Sequence, residues 1–460
     1  MGWGMPVQSG LWQELVAASS GDSFLPVATM IFLAAVVHAF LAPRFAQIAQ
    51  RVEATAPRRG ALLHLLGEVE AVFGLWAFVL FAALSCWPGK GWAFACRYIE
   101  SGDYAGATPA ASSKFIEPVF VFVIMVMAAS RPVMRLASDL LERVARGLGG
   151  SPAAQWFVLL TLTPLLGSLI TEPAAMTIAA MLLSARFYRL KPSRSLAYGT
   201  LALLFVNISV GGALTHFAAP PMVMVAAKWD WGLSEVFSRF GLAAISAIMI
   251  STASYGWFFR RELAALPVAP AESEAEPVIP FYVTFVHLAL MVWTVVMLSG
   301  HHLDLMVGGF LAFLAFTVAT PKWQEPVKLR GPLLVGFFLA GLVVLGGVQG
   351  WWIAPVLGRL DERALLGVST FLTSFNDNAA VTYLASQVAA LAQPQAEGLR
   401  HAVMAGALAG GGLTVIANAP NPAGQSILAP WFEGGISPWR LVIWAMFPTV
   451  VALGCFFWLR

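Results

Sequence analysis

Charge is the scarcest resource in this sequence: Asp, Glu, Lys and Arg together make up 11% of the chain, while 59% is hydrophobic. A soluble globular domain carries about 25% charged residues, so the mean hydropathy of +0.76 excludes that class. Cysteine is equally sparse. Three residues exclude a disulfide framework or a four-cysteine metal site. Cys86 and Cys96 flank one loop and either pair in an oxidising space or stay as thiols. No Lys or Arg precedes Arg44, so there is no positive n-region and no cleaved signal peptide is expected. His-Glu-x-x-His and Gly-x-Ser-x-Gly are both missing, which argues against an intramembrane enzyme. Nothing points to a cofactor or a nucleic-acid partner.

What the chain does have is long apolar runs. Residues 24–42, 115–130, 281–298 and 331–350 are about as long as a bilayer-spanning helix requires. The expected class is an all-α polytopic membrane protein. Ten crossings are read near 24–42, 61–85, 115–136, 195–213, 237–258, 281–298, 303–320, 331–350, 399–415 and 437–459. Two more regions, 155–185 and 364–392, each hold two short apolar helices around a polar tip and read as re-entrant hairpins. With the N-terminus outside, 18 of the 27 Lys and Arg fall in inside loops, as the positive-inside rule demands. Both termini are then extracytoplasmic.

The order of elements repeats. Residues 1–23 form an outer segment, 24–261 a first repeat, 262–280 a Pro- and Glu-rich cytoplasmic linker, and 281–460 a second repeat. Each half has three spans, a hairpin, a Gly/Pro-interrupted span and a last span. Five crossings is an odd number, so the second half is inverted. The sequences match as well. 171-TEPAAMT-177 lies over 376-NDNAAVT-382, and 211-GGALTHFAAPP-221 lies over 410-GGGLTVIANAP-420. The second match has six identities in 11, and the offsets are 205 and 199 residues. Inverted repeats with broken helices mark secondary transporters.

Broken helices expose backbone groups that lipid cannot satisfy, so they must line a protein-enclosed or wet site. The two hairpins and two interruptions are expected to meet near the midplane. The first hairpin brings Thr171, Glu172 and Thr177. The second brings Thr373, Ser374, Asn376, Asp377, Asn378 and Thr382. The first interrupted span brings Asn207, Ser209, Gly211, Gly212 and Thr215. The second brings Gly410, Gly411, Gly412, Thr414, Asn418 and Asn421. These are hard oxygen ligands suited to Na⁺, with Asp377, Asn378 and Asn418 as the expected core. A carboxylate at membrane depth is by default functional. One balanced between burial and a bound cation can trade a proton for Na⁺. Asp377 is ranked first and Glu172 as its pseudo-symmetric partner. Bland alternatives stand beside these. Asp377 could only cap the helix that follows it, and Glu172-Pro173 could only start one. The Gly-rich runs could be close packing, although 417-ANAPNPAG-424 breaks any continuous helix.

Other polar residues are weaker candidates. Glu68 and His64 are spaced to share a helix face, and Glu68 is a possible proton-path residue; Glu70 points away. His216 sits beside Thr215 and could relay protons or be structural. His38 and His287 read as structural.

The paired TEPAAMT and NDNAAVT tips, with GGALTHFAAPP and GGGLTVIANAPNPAG, resemble the ion transporter superfamily. Within it, 67-GEVEAVFGLW-76 and 414-TVIANAPNPAG-424 make the chain similar to a family of bacterial Na⁺/H⁺ antiporters of the inner membrane. The resemblance implies a homodimer, a scaffold (about 24–136, 237–350 and 437–460) and a transport domain (about 151–228 and 364–430) that moves like an elevator. The dicarboxylate-carrying relatives have Ser-Asn-Thr at both tips. Here the tips are Thr171-Glu172-Pro173 and Asn376-Asp377-Asn378, and their acids would repel a dianion. Na⁺/H⁺ antiport is the leading expectation; Na⁺-coupled carriage of a small anion is the alternative.

Overall fold

The computed structural model describes residues 10–53, 56–101, 104, 114–267, 278–433 and 435–460. Most of the expected linker, 268–277, lies outside them. Among the described residues the chain is entirely helical, with no strand. Six helices are long and apolar enough to cross a membrane, and three bent pairs raise that to nine. The protein is a multi-pass membrane protein.

The bends are where the sequence reading and the structure part. The run 115–136 is not one continuous helix: Ile116–Ala128 and Arg131–Gly147 meet at 66°. Pro132 has no N–H for a carbonyl one turn back, so the helix ends and restarts with proline in its first turn. The second piece is amphipathic. Val133, Ala137, Leu141 and Ala145 are buried at four-residue spacing, and Arg135 pairs with Asp139. The run 331–350 also breaks, between Arg330–Gly346 and Gly350–Leu357, at 82°. Two short helices, Leu11–Gly21 and Gly91–Ser101, lie where no helix was expected.

The chain forms two compact units. One comprises residues 1–118, 334–361 and 383–397. Here Phe24–Val52 is 29 residues long, about 44 Å at 1.5 Å per residue. The 82° bend is filled by Gln349, fully buried, which accepts from Thr29 Oγ1 and Trp352 Nε1, each at 2.9 Å. Helices Val69–Cys86 and Arg330–Gly346 touch through glycine: a Cβ on Gly341 would sit in the backbone of Phe73 and Gly74. Glu68 lies in this unit, at the break after Pro57–Gly67, with extended backbone. His64 does not pair with it. His64 reaches Glu53 at 3.1 Å instead, because the helix ends before Glu68. His38 accepts from Trp76 Nε1 on Nδ1 and so donates from Nε2 to Leu66 O, a structural tautomer. Cys86 and Cys96 are free thiols.

The other unit comprises 119–333, 362–382 and 398–460, and it contains both hairpin tips and both interruptions. The first hairpin is Pro152–Ile170 and Glu172–Arg186. Its first arm, 19 residues, is longer than expected and sufficient for a full span. The second tip joins Glu362–Phe375 to Asn378–Ser386. The interrupted spans are Arg194–Gly211 followed by Pro220–Trp229, and Glu397–Gly410 followed by Asn421–Leu428. Within Arg194–Gly211, residues 196–211 are all buried.

Candidate functional site

Proline shapes the first hairpin. Pro164 lies inside Pro152–Ile170 and cannot bond the carbonyl of Leu160. That carbonyl accepts instead from Asn207 Nδ2 at 2.8 Å, which also donates to Thr252 Oγ1 at 2.9 Å. Asn207 therefore faces helix packing. Two residues on, and so on the far side of the same helix, Ser209 donates to Leu408 O at 2.8 Å.

The two interruptions grip the two tips in the same way. Thr215 Oγ1 donates to Ser168 O, and Thr414 Oγ1 donates to Ser374 O, both at 2.8 Å. The hairpins match too: Thr177 Oγ1 donates to Pro173 O and Thr382 Oγ1 to Asn378 O, each one turn back. Thr382 also reaches Pro221 O at 3.1 Å. Ser168 adds a contact that the sequence did not flag, bonding Gly211 O and the Leu214 N–H. Thr171 turns the first tip with φ 77° and ψ 149°, a conformation that costs a β-branched residue of order 1–3 kcal/mol.

Glu172 follows, completely buried. Its backbone N–H donates to Ala218 O, and its Oε2 accepts from Asn418 Nδ2 at 2.9 Å. Its Oε1 is buried without a hydrogen-bond partner. Gly212 leaves the room for it, since a Cβ there would collide with Oε1. Among the expected site residues, five more buried oxygens share this condition: Thr171 Oγ1, Thr373 Oγ1, and Oδ1 of Asn378, Asn418 and Asn421.

The amide orientations follow from their partners. Asn421 Nδ2 donates to two carbonyls, Gly411 O and Thr414 O, at 2.8 and 2.9 Å. Asn418 Nδ2 faces a carboxylate. Ser209 gives its only hydrogen to Leu408 O, so at Asn378 Nδ2, 3.5 Å away, it can only accept. Gly411 permits this approach, since a Cβ there would strike Ser209 Oγ. Thus Glu172, Asn418, Asn421, Gly411, Ser209 and Asn378 form one linked set, with amide nitrogens turned to protein and oxygens left over.

Asp377, ranked first from sequence, has a different post. Its Oδ1 accepts from the Ala379 N–H at 2.8 Å and caps Asn378–Ser386. It is 8% exposed and within electrostatic reach of Glu172. Position 219, the repeat counterpart of Asn418, is alanine, so the second repeat's asparagine has no equivalent in the first. Asn376 Oδ1 accepts from the Asp377 N–H. Ser374 turns outward to Phe371 O. His216 is not brought to the cluster: its Nε2 lies 3.4 Å from Ser299 Oγ. No group of three His, Cys, Asp or Glu among the described residues could hold a metal.

A multi-pass helical protein with two broken spans and two polar tips, each carrying a buried acid, is a transporter. The chain belongs to the family described as "Putative Na+/H+ antiporter", which matches residues 23–459. No curated protein matches it. Among solved structures it is similar to the Alcanivorax borkumensis YdaH transporter, described as having an unusual topology. The identity is 12% and the TM-score 0.47, over 84% of this chain and 96% of that one.

Proposed function

We propose that the protein exchanges Na⁺ for protons at the Glu172 cluster. The observation that carries this is the Glu172 carboxyl itself: fully buried, one oxygen held by Asn418 and the other without a hydrogen-bond partner, in a set of residues whose amide oxygens are also unpartnered. A buried carboxylate needs a proton or a counter-charge. A proton on Oε1 removes the charge. A Na⁺ ion among Oε1 and the oxygens of Asn378, Asn418 and Asn421 neutralises it instead. The two outcomes compete for one group, which is the chemical core of antiport. Asn418 positions the carboxyl. Asp377 adds a second negative potential and organises the second tip. The protein is thus a carrier and not an enzyme.

We propose further, from the resemblance carried by the sequence motifs, a homodimer in the bacterial inner membrane, working by an elevator-like motion of the hairpin-bearing domain. The anion-carrier alternative is less favoured, because Asn421 spends its amide N–H₂ on two protein carbonyls and those of Asn418 and Asn378 face Glu172 and Ser209.

The test is collapse of a preset ΔpH in proteoliposomes on adding NaCl. Wild type is expected to dissipate it and Glu172→Gln to be inactive though folded. Asp377→Asn keeps the cap and loses one charge, on the order of 1–2 kcal/mol at an effective dielectric near 20, so apparent Na⁺ affinity falls about tenfold. A wild type that ignores Na⁺ ends the antiport reading, and Na⁺ uptake that depends on an anion replaces it. An active Glu172→Gln moves the exchange to another group.

A further inference from the structure

Helices Arg194–Gly211 and Pro438–Trp458 begin side by side, and between their first turns lies a cavity of about 260 Å³. Arg194, Ser195, Tyr198, Arg440, Ile443 and Trp444 line it. We infer that this cavity binds the phosphate group of an anionic membrane lipid.

Two exposed guanidinium groups face one small space, and neither has an acidic partner among the described residues. Glu262 reaches the same helix start, but it is held by the Ser193 N–H at 2.6 Å and the Ser193 hydroxyl at 2.9 Å. Two like charges left together repel unless something negative joins them, and a paired guanidinium fork matches phosphate oxygens. The helix starts add to this field. Helices of 18 and 21 residues point their N-terminal dipole ends toward the same mouth.

The wall is built rather than incidental. Tyr198 is buried, and its hydroxyl accepts from the Ser437 N–H at 2.9 Å, joining one helix start to the other. Arg440 sits 5.9 Å over the Tyr198 ring. Tyr255 donates to the Trp444 carbonyl at 2.6 Å, fixing the opposite side.

A lipid fits better than free phosphate because of what continues from the cavity. Ile443, Met446, Phe447 and Val450 form an exposed apolar stripe down Pro438–Trp458. A headgroup at the two arginines would lay its acyl chains along that stripe, with the ester region at Trp444.

The test uses full-length protein in detergent, titrated with phosphatidylglycerol, phosphatidylcholine or inorganic phosphate. Bound lipid is counted by native mass spectrometry, and the apparent Tm is followed in parallel. Phosphatidylglycerol is expected to bind and raise the Tm, and the other two are not. Arg194→Gln with Arg440→Gln is expected to bind it about 30-fold more weakly, from about 1 kcal/mol for each basic side chain. Arg194→Lys with Arg440→Lys keeps most of the binding. Should the Gln pair fail to fold, each single variant is read alone, with about fivefold loss. Equal binding by the Gln variants, or equal binding of phosphatidylcholine, overturns the assignment. So does a Tm rise reproduced in full by inorganic phosphate, which would make this a free-ion site.

Discussion

Gly212 shows how little freedom single residues have here. A methyl group there would collide with Glu172 Oε1, so Gly212→Ala must displace the carboxyl or the backbone that carries it. Apparent Na⁺ affinity is expected to fall at least tenfold, about 1.4 kcal/mol. Gly454→Ala is the control: nothing lies within 4 Å of its added methyl, and a helix-interior Gly→Ala gains about 0.5–1 kcal/mol. Equal activity of the two variants in the ΔpH assay would remove Glu172 Oε1 from the site. At this scale the sequence was partly legible. Glu172 and Asp377 stood out because acids in apolar surroundings are rare. Their ranking did not, since it depends on which acid caps its own helix and which one meets Asn418 across the fold. Asn207 was read as a ligand because its span is interrupted nearby. Its true partner is a carbonyl freed by Pro164, a tertiary pairing with no local signature.

At the scale of elements, that pairing is testable as a unit. Asn207→Leu strands the Leu160 carbonyl, and an unsatisfied buried carbonyl costs about 1–3 kcal/mol. Pro164→Ala restores the helix's own bond. The double variant is therefore expected to be more stable than Asn207→Leu alone, with a coupling of about 0.5–3 kcal/mol in a double-mutant cycle read by Tm. Additive effects would show that the carbonyl has another source of satisfaction. The broken spans were legible from their Gly, Asn and Pro runs, which cannot continue a helix. The 66° bend was not, because apolar composition runs across it. Pro132 was its one local signal. The bend at residues 347–349 depends on Gln349 finding Thr29, far away in sequence.

For the whole molecule, hydropathy made the all-helical membrane class plain, and charge placement gives an expected orientation that a fusion experiment reads directly. Alkaline phosphatase fused after Arg460 is expected to be active outside the cell, and a fluorescent protein inserted in 268–277 to mature inside; the reverse pattern would invert the topology. The division into two units was not legible, because a contact cluster gathers residues distant in the chain, such as 119–333 with 398–460. One feature already described governs how faithfully such a carrier would couple its two gradients. Asn418 holds only Oε2, and the amide nitrogens of Asn421 and Asn378 face Gly411, Thr414 and Ser209, so Oε1 of an ionised Glu172 with neither proton nor cation is left without a donor. That species would be a fully buried charge compensated by the Asn418 contact alone, costing several kcal/mol. In an exchanger working at Glu172, slippage, the return stroke with nothing aboard, would thus be suppressed by hydrogen bonds that never touch the ion.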